Sequence, residues 1–134
     1  MVKTIKMTAN PSSPLAGVRI AAFLMILFGL LEIVTGFTHR FFILSTSSSP
    51  LSLCLGVGLG FFYFMAGCLI LTGRRRAAIL AILLLVADII GRAAMVVTGL
   101  YPLNSIPQTY GIVIGTSIVF YFSFYVGGKL KFFK

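Results

Sequence analysis

Charged residues are scarce in this sequence, and acidic residues are nearly absent. Of its 134 residues 10% are charged, and only Glu32 and Asp88 are acidic, against eleven Lys and Arg. A soluble globular domain carries roughly 25% charged residues, so this composition excludes that class. Hydrophobic residues make up 59% of the chain. That fraction excludes a disordered chain too, because so much apolar surface is not left in water.

Signatures of several enzyme and metal-binding classes are missing as well. The sequence contains no phosphate-binding glycine loop, no nucleophile elbow and no H-E-x-x-H segment. Cys54 and Cys68 lie in one apolar run, about 21 Å apart along a helix, which is too far for a disulfide. A single histidine, His39, is weak evidence for a metal site. These absences favour a protein that is not an enzyme, and the sequence requires no cofactor.

Four long apolar runs predict four membrane spans, each near the ~20 residues that a transmembrane helix needs. The spans are predicted as helices because open strands would leave backbone groups unpaired in lipid. We therefore predict an all-α fold, a single integral membrane four-helix bundle over residues 15–128, with a flexible tail at 1–14 and a basic tail at 129–134. The predicted spans cover residues 15–37, 51–72, 77–98 and 110–126.

Basic residues lie almost entirely on one side of the predicted bundle. Nine of the eleven Lys and Arg fall on the same face of the membrane, Arg40 alone falls on the other, and Arg92 lies within a span. The nine are Lys3, Lys6, Arg19, Arg74, Arg75, Arg76, Lys129, Lys131 and Lys134. Because Lys and Arg are retained in the cytoplasm, both termini are predicted to be cytoplasmic, in a multi-pass protein of the cell membrane. This placement explains the net charge of +9 with the lipid bilayer as partner and without nucleic acid.

Both acidic residues lie inside predicted spans, where a charged group costs ~2.5–3.5 kcal/mol at the helix centre. Asp88 is central in the third span. Glu32 and Arg92 lie about 9 Å and about 6–7 Å from the centre, on the outer side of two parallel helices. Asp88 and Arg92 are also i,i+4 neighbours on one helical face. We therefore predict a buried cluster of Glu32, Asp88 and Arg92 in the outer half of the bundle.

This cluster is the predicted functional site, and it extends outward because the helical face of Glu32 continues through Thr35 to His39. The predicted ligand- or proton-binding residues are Glu32, Asp88, Arg92, Thr35 and His39. Their expected function is to bind or translocate a small solute, a cation or a proton. Two acids share one base, so we expect the carboxyl groups to titrate as a coupled pair. A purely structural role, in which the charges fix helix packing, is the alternative.

Three roles stay open for His39, which is expected at the outer interface beside Arg40. Its polar tip can simply meet water there. It can relay protons to Glu32, about 10 Å below, or ligate haem with Met25 or Met95 as axial partner.

Glycine pairs mark close helix contacts in two of the spans. Gly56-x-x-x-Gly60 and Gly111-x-x-x-Gly115 let helix backbones meet, within the bundle or between two copies of the chain. They predict tight packing and are compatible with a homo-oligomer.

Two other functions fit the same pattern. A non-catalytic accessory or assembly subunit of a larger membrane complex needs only helices whose polar side chains meet in a specific register. It predicts wet or lipid-facing cavities but no solute pocket, and a sealed, fully paired cluster would favour it. A membrane enzyme that acts on a lipid or quinone needs a lateral opening at the depth of the carboxylates.

Overall fold

The chain folds as a bundle of four long helices. The computed structural model describes residues 14–38, 40–41, 44–45, 50–101, 103–104 and 106–134. The helices are α1 (Ala16–Thr38), α2 (Pro50–Leu71), α3 (Arg75–Val97) and α4 (Ile106–Gly128). Two-residue strands, β1 (Arg40–Phe41) and β2 (Leu44–Ser45), pair antiparallel between α1 and α2, and a 3₁₀ turn at Leu130–Phe132 follows α4. The predicted helical bundle is confirmed, with this small hairpin as an addition. Residues 1–13 of the predicted flexible tail lie outside the described residues.

Within the described part of the chain, all four helices are long and apolar enough to cross a membrane. Each has 22 or 23 residues, which gives a length of about 33–35 Å against a hydrocarbon core ~30 Å thick. A helix satisfies its backbone hydrogen bonds internally, which lipid requires. The architecture indicates a membrane protein.

Two helix boundaries differ from the sequence expectation for identifiable reasons. Helix α4 begins at Ile106, four residues before the predicted span, and Pro107 lies in its first turn. Proline is tolerated there, since the first N–H groups of a helix have no intrahelical acceptor. Helix α2 ends through Gly73, whose φ of 68° places it in the left-handed region, and its N–H donates to the Ile70 carbonyl at 3.1 Å. The chain reverses there, and α3 begins at Arg75.

Glycine residues on both helices let α1 and α2 approach closely. A Cβ on Gly60 would lie 2.7 Å from the backbone nitrogen of Ile33, and one on Gly67 would lie 2.7 Å from the Ala22 carbonyl oxygen. Gly29 on α1 faces the α2 backbone in the same way. Gly60 and Gly67 of α2 are therefore used for packing within the chain. Their partner on α1 was not anticipated from the sequence.

The helices pack mainly in chain order, α1 on α2, α2 on α3 and α3 on α4, whereas α1 and α4 have few contacts. We call the end that holds Arg74–Arg76 the arginine-turn end, and the opposite end, where α1 ends and α4 begins, the long-loop end. The middle of the bundle and its arginine-turn end are closed by a buried core that includes Met25, Ala66, Leu85 and Val126. The weak α1–α4 contact leaves a seam along one side.

The last six residues fold back against the turn between α2 and α3. The Lys134 N–H donates to the Gly73 carbonyl at 3.1 Å, and the Lys134 carbonyl accepts from the Arg75 N–H at 2.6 Å. The side chain of Phe133 is buried in the core. The segment predicted as a basic tail is therefore packed on the bundle, with the backbone of Lys134 bonded to the turn that leads into α3.

We predict that Gly60→Ala destabilises the bundle by about 1–3 kcal/mol, because the new methyl group collides with α1 backbone that cannot move freely. Gly58→Ala is the matched control: a Cβ at Gly58 meets nothing within 4 Å, and alanine is the better helix former. Unfolding by SDS in mixed micelles, followed by circular dichroism, measures both. Equal stability of the two variants would contradict the close α1–α2 contact.

Candidate functional site

Three charged side chains form one hydrogen-bonded network inside the bundle. The Arg92 guanidinium donates from Nε to Asp88 Oδ2 at 2.9 Å, and from Nη2 to both carboxylate oxygens of Glu32 at 2.6 Å. The Asp88 side chain is fully buried and that of Arg92 is 11% exposed, whereas Glu32 is 23% exposed. Arg92 thus bridges a carboxylate on its own helix and one on α1.

Local sequence explains how these side chains meet. Asp88 and Arg92 are one helical turn apart on α3, so both project from the same face. Glu32 reaches them from α1, at the depth that its position in the span predicts. Gly115 on α4 makes room for the guanidinium, since a Cβ there would lie 3.0 Å from Arg92 Nη1.

The network forms part of the wall of a cavity of about 440 Å³ at the long-loop end. This volume lies within the range of sites for small molecules, ~300–1,000 Å³. All four helices and the α3–α4 connection contribute to its largely apolar lining. The lining residues are Phe28, Leu31, Glu32, Thr35, Gly36, Gly56, Leu59, Tyr63, Arg92, Met95, Leu100, Tyr101, Pro107, Gln108, Gly111, Ile112, Ile114, Gly115 and Ile118.

Two buried polar atoms near this network have no hydrogen-bond partner among the residues that the structure describes: Tyr63 Oη and Asp88 Oδ1. Tyr63 is only 3% exposed and lines the cavity from α2. An unpaired buried hydroxyl or carboxylate oxygen costs ~1–3 kcal/mol, so such groups are rare in folded proteins. The wall of the cavity therefore includes a tyrosine whose hydroxyl is buried.

Tyr101 lines the cavity at the long-loop end. Its hydroxyl donates to the Gln108 carbonyl in the first turn of α4 at 3.0 Å, and its N–H donates to the Met95 carbonyl at 3.0 Å. Burial raises the pKa of the Tyr101 phenol above its ordinary value, so the hydroxyl keeps its proton and remains a donor at neutral pH. The residue thus ties the α3–α4 connection to the end of α3 and to the first turn of α4.

The structure brings together Glu32, Asp88 and Arg92 as the sequence predicts. Thr35 also lines the cavity, and its hydroxyl donates to the Leu31 carbonyl of its own helix at 2.8 Å. His39 lies outside the described residues, so its three open roles stay predictions. The two methionines predicted as possible axial partners of a haem lie in different places: Met25 is fully buried in the core, and Met95 lines the cavity.

Sequence reasoning missed Tyr63 and Tyr101. Tyr63 stands inside the aromatic run Phe61–Phe64, where it resembles one more apolar ring. Its hydroxyl in the middle of a span was the available signal, since buried tyrosine hydroxyls usually have a partner. Tyr101 lies in a proline-containing connection, where the sequence pattern does not indicate which way a side chain points.

Among the described residues, no group of three or more His, Cys, Asp and Glu side chains is placed to hold a metal ion. Compared with protein-family models, with curated proteins and with solved structures, the chain matches none. The site itself is therefore the basis for any functional conclusion.

Removing the shared cation should be costly. We predict that Arg92→Met destabilises the bundle by about 3–5 kcal/mol, because it leaves two carboxylates buried without a positive partner. Arg92→Lys should rescue only part of this loss, since one ammonium group cannot bridge both acids from Nε and Nη2. SDS unfolding in mixed micelles measures the free energy difference.

The control is the triple variant Glu32→Gln/Asp88→Asn/Arg92→Met, which removes the two acids together with the base. It should be more stable than Arg92→Met alone. Wild-type stability of Arg92→Met, or no recovery in the triple variant, would contradict a network held together by charge.

Proposed function

We propose that this chain is a multi-pass protein of the cell membrane that binds a small solute in the cavity beside Glu32, Arg92 and Asp88. Binding or translocation of a small solute, a cation or a proton is the function that this site supports best. The observation that carries the proposal is a charged network deep in an apolar bundle with one carboxylate facing a cavity. Ionisable groups at such a depth are expensive to keep and are typical of binding sites and proton pathways.

The charge of the network determines which solute it favours. When all three side chains are ionised, their charges sum to one negative charge. Arg92 already donates to both carboxylates, so it has little capacity to attract an anion. Glu32 is the more exposed acid and lines the cavity, whereas Asp88 is sealed behind it. We infer that Glu32 contacts a cationic or hydrogen-bond-donating solute, and that Arg92 and Asp88 hold it in place.

Binding is supported more directly than translocation. Met25, Leu85 and Val119 are fully buried between the network and the arginine-turn end. Close-packed side chains of this kind leave no passage for a solute unless the helices rearrange. A translocation cycle would therefore require the core to open after the cavity is occupied.

The orientation of the chain follows from its basic residues. The arginine turn and the packed C-terminal segment concentrate positive charge at one end of the bundle, which the positive-inside rule places in the cytoplasm. The cavity at the long-loop end then opens in the outer half of the membrane. Thr35, with His39 beyond it, would line the approach from outside.

The exposure of Glu32 also bears on the accessory-subunit alternative. A sealed and fully paired cluster would favour that role. A carboxylate that faces a cavity, together with oxygens on Tyr63 and Asp88 that have no partner among the described residues, favours a binding site instead.

A matched series of small probes tests the proposal: benzylammonium, benzyl alcohol and benzoate share one shape and differ in charge. In lipid nanodiscs the wild type should bind them in that order of affinity, measured by equilibrium dialysis against empty nanodiscs. Glu32→Gln should weaken benzylammonium binding about tenfold, a change of ~1.4 kcal/mol. Gly111→Leu should abolish binding, because a Cβ there is only in ordinary contact with Tyr101 and a larger side chain extends into the cavity.

The control is Gly58→Leu, which adds the same side chain to α2 where a Cβ meets nothing within 4 Å. It should bind benzylammonium like the wild type. Equal binding of all three probes by wild type and Gly111→Leu would overturn the proposal. So would equal probe binding and equal proton flux in proteoliposomes by wild type and the double variant Glu32→Gln/Asp88→Asn.

Orientation has its own test in a background with Cys54→Ala and Cys68→Ala. A cysteine introduced at exposed Leu103 should react with a membrane-impermeant maleimide in intact cells. A cysteine at exposed Lys131 should react only after permeabilisation. The reverse pattern would place the cavity in the inner half of the membrane.

A further inference from the structure

The cavity adjoins a groove along the seam between α1 and α4. Phe28, Ile114 and Ile118 line both spaces, so the two are neighbours. Towards the arginine-turn end the groove is lined by Leu24 of α1 and Tyr121 of α4. The site thus has a polar end at Glu32 and an apolar extension that faces the surrounding lipid.

The groove exists because α1 and α4 have few contacts, whereas helices that are consecutive in the chain pack against each other. Its walls are apolar and open to the side: Leu24 is 39% exposed and Ile114 is 54% exposed. From Gly111 at the cavity to Tyr121 at the far end, α4 advances about 15 Å. This is the reach of a medium-length alkyl chain lying along the helices.

The head of an occupant is specified at the other end. The network carries one negative charge when ionised, and Glu32 is the carboxylate that faces the cavity. Tyr63, which is nearly fully buried, forms part of the wall of the same space. A protonated amine fits this end of the cavity, because it supplies both positive charge and N–H donors to the carboxylate.

We propose that the cavity and groove together bind a single-chain alkylamine that enters sideways from the lipid, with its ammonium group at Glu32 and its chain between α1 and α4. This inference rests on the proposed solute-binding function and names the class of solute. The chain contributes affinity through burial in the groove, and the head contributes selectivity through charge.

The experiment compares dodecylammonium with benzylammonium, whose short body occupies the cavity without the groove. Leu24→Trp narrows the groove at a lipid-exposed position. It should weaken dodecylammonium binding about tenfold, the loss of roughly two buried methylene groups, and leave benzylammonium binding unchanged. Leu30→Trp is the matched control: this residue of α1 is similarly exposed and lines neither the cavity nor the groove. It should bind both amines like the wild type.

A second arm tests the head with dodecanol and dodecanoate in the same phosphatidylcholine nanodiscs. Affinity should fall from dodecylammonium to dodecanol to dodecanoate, and Glu32→Gln should remove this order. If Leu24→Trp affects the two amines alike, or if dodecanoate binds the wild type as tightly as dodecylammonium, the inference is overturned. Retained binding of benzylammonium would then leave the proposed function standing, whereas its absence in the wild type would overturn the proposed function itself.

Discussion

The shared guanidinium of Arg92 is the interaction on which the rest of this small bundle depends. It donates to Asp88 from its own helix and to Glu32 from α1, so one cation compensates both acids of the sequence. In lipid neither carboxylate can turn to water for solvation, and α1 must therefore keep the depth and rotation that bring Glu32 to Arg92. The arrangement is asymmetric, since one acid is sealed and the other faces a cavity. That asymmetry turns a structural ion pair into a candidate binding site.

Glycine packing and charge pairing together explain where the cavity lies. Gly29, Gly60 and Gly67 draw α1 onto α2, while the network ties α1 to α3. Helix α4 is left attached mainly to α3, and Gly111 and Gly115 present no side-chain bulk at the long-loop end. The space between α1 and α4 is thus a consequence of which helices are drawn together. It is apolar because its walls are the faces that would otherwise meet lipid.

Much of this organisation was predictable from the sequence, and the remainder was not for physical reasons. The lengths of the apolar runs, and the need to pair backbone hydrogen-bonding groups in lipid, predict four helices. Counting residues from the centre of each span places Glu32 and Arg92 at similar depths. Pro107 was misleading, because proline ends a helix from inside but is tolerated in its first turn. The role of Tyr63 depends on which way its ring points. Hydrophobic periodicity cannot predict the inward face of a helix that is apolar all round. The packing of Phe133 depends on a tertiary contact, and the lysines around it led to the prediction of a solvent-exposed tail instead.

The sharing of one guanidinium also sets an order in time for the making of the protein. Glu32 and its partner Arg92 are 60 residues apart in the chain. At ~5–20 residues per second, the ribosome needs about 3–12 s to deliver the cation after the acid. Until then Glu32 lacks its native partner, and the glycine contacts with α2 are native interactions that α1 can already form. Asp88 and Arg92 lie on one helix and therefore become available together.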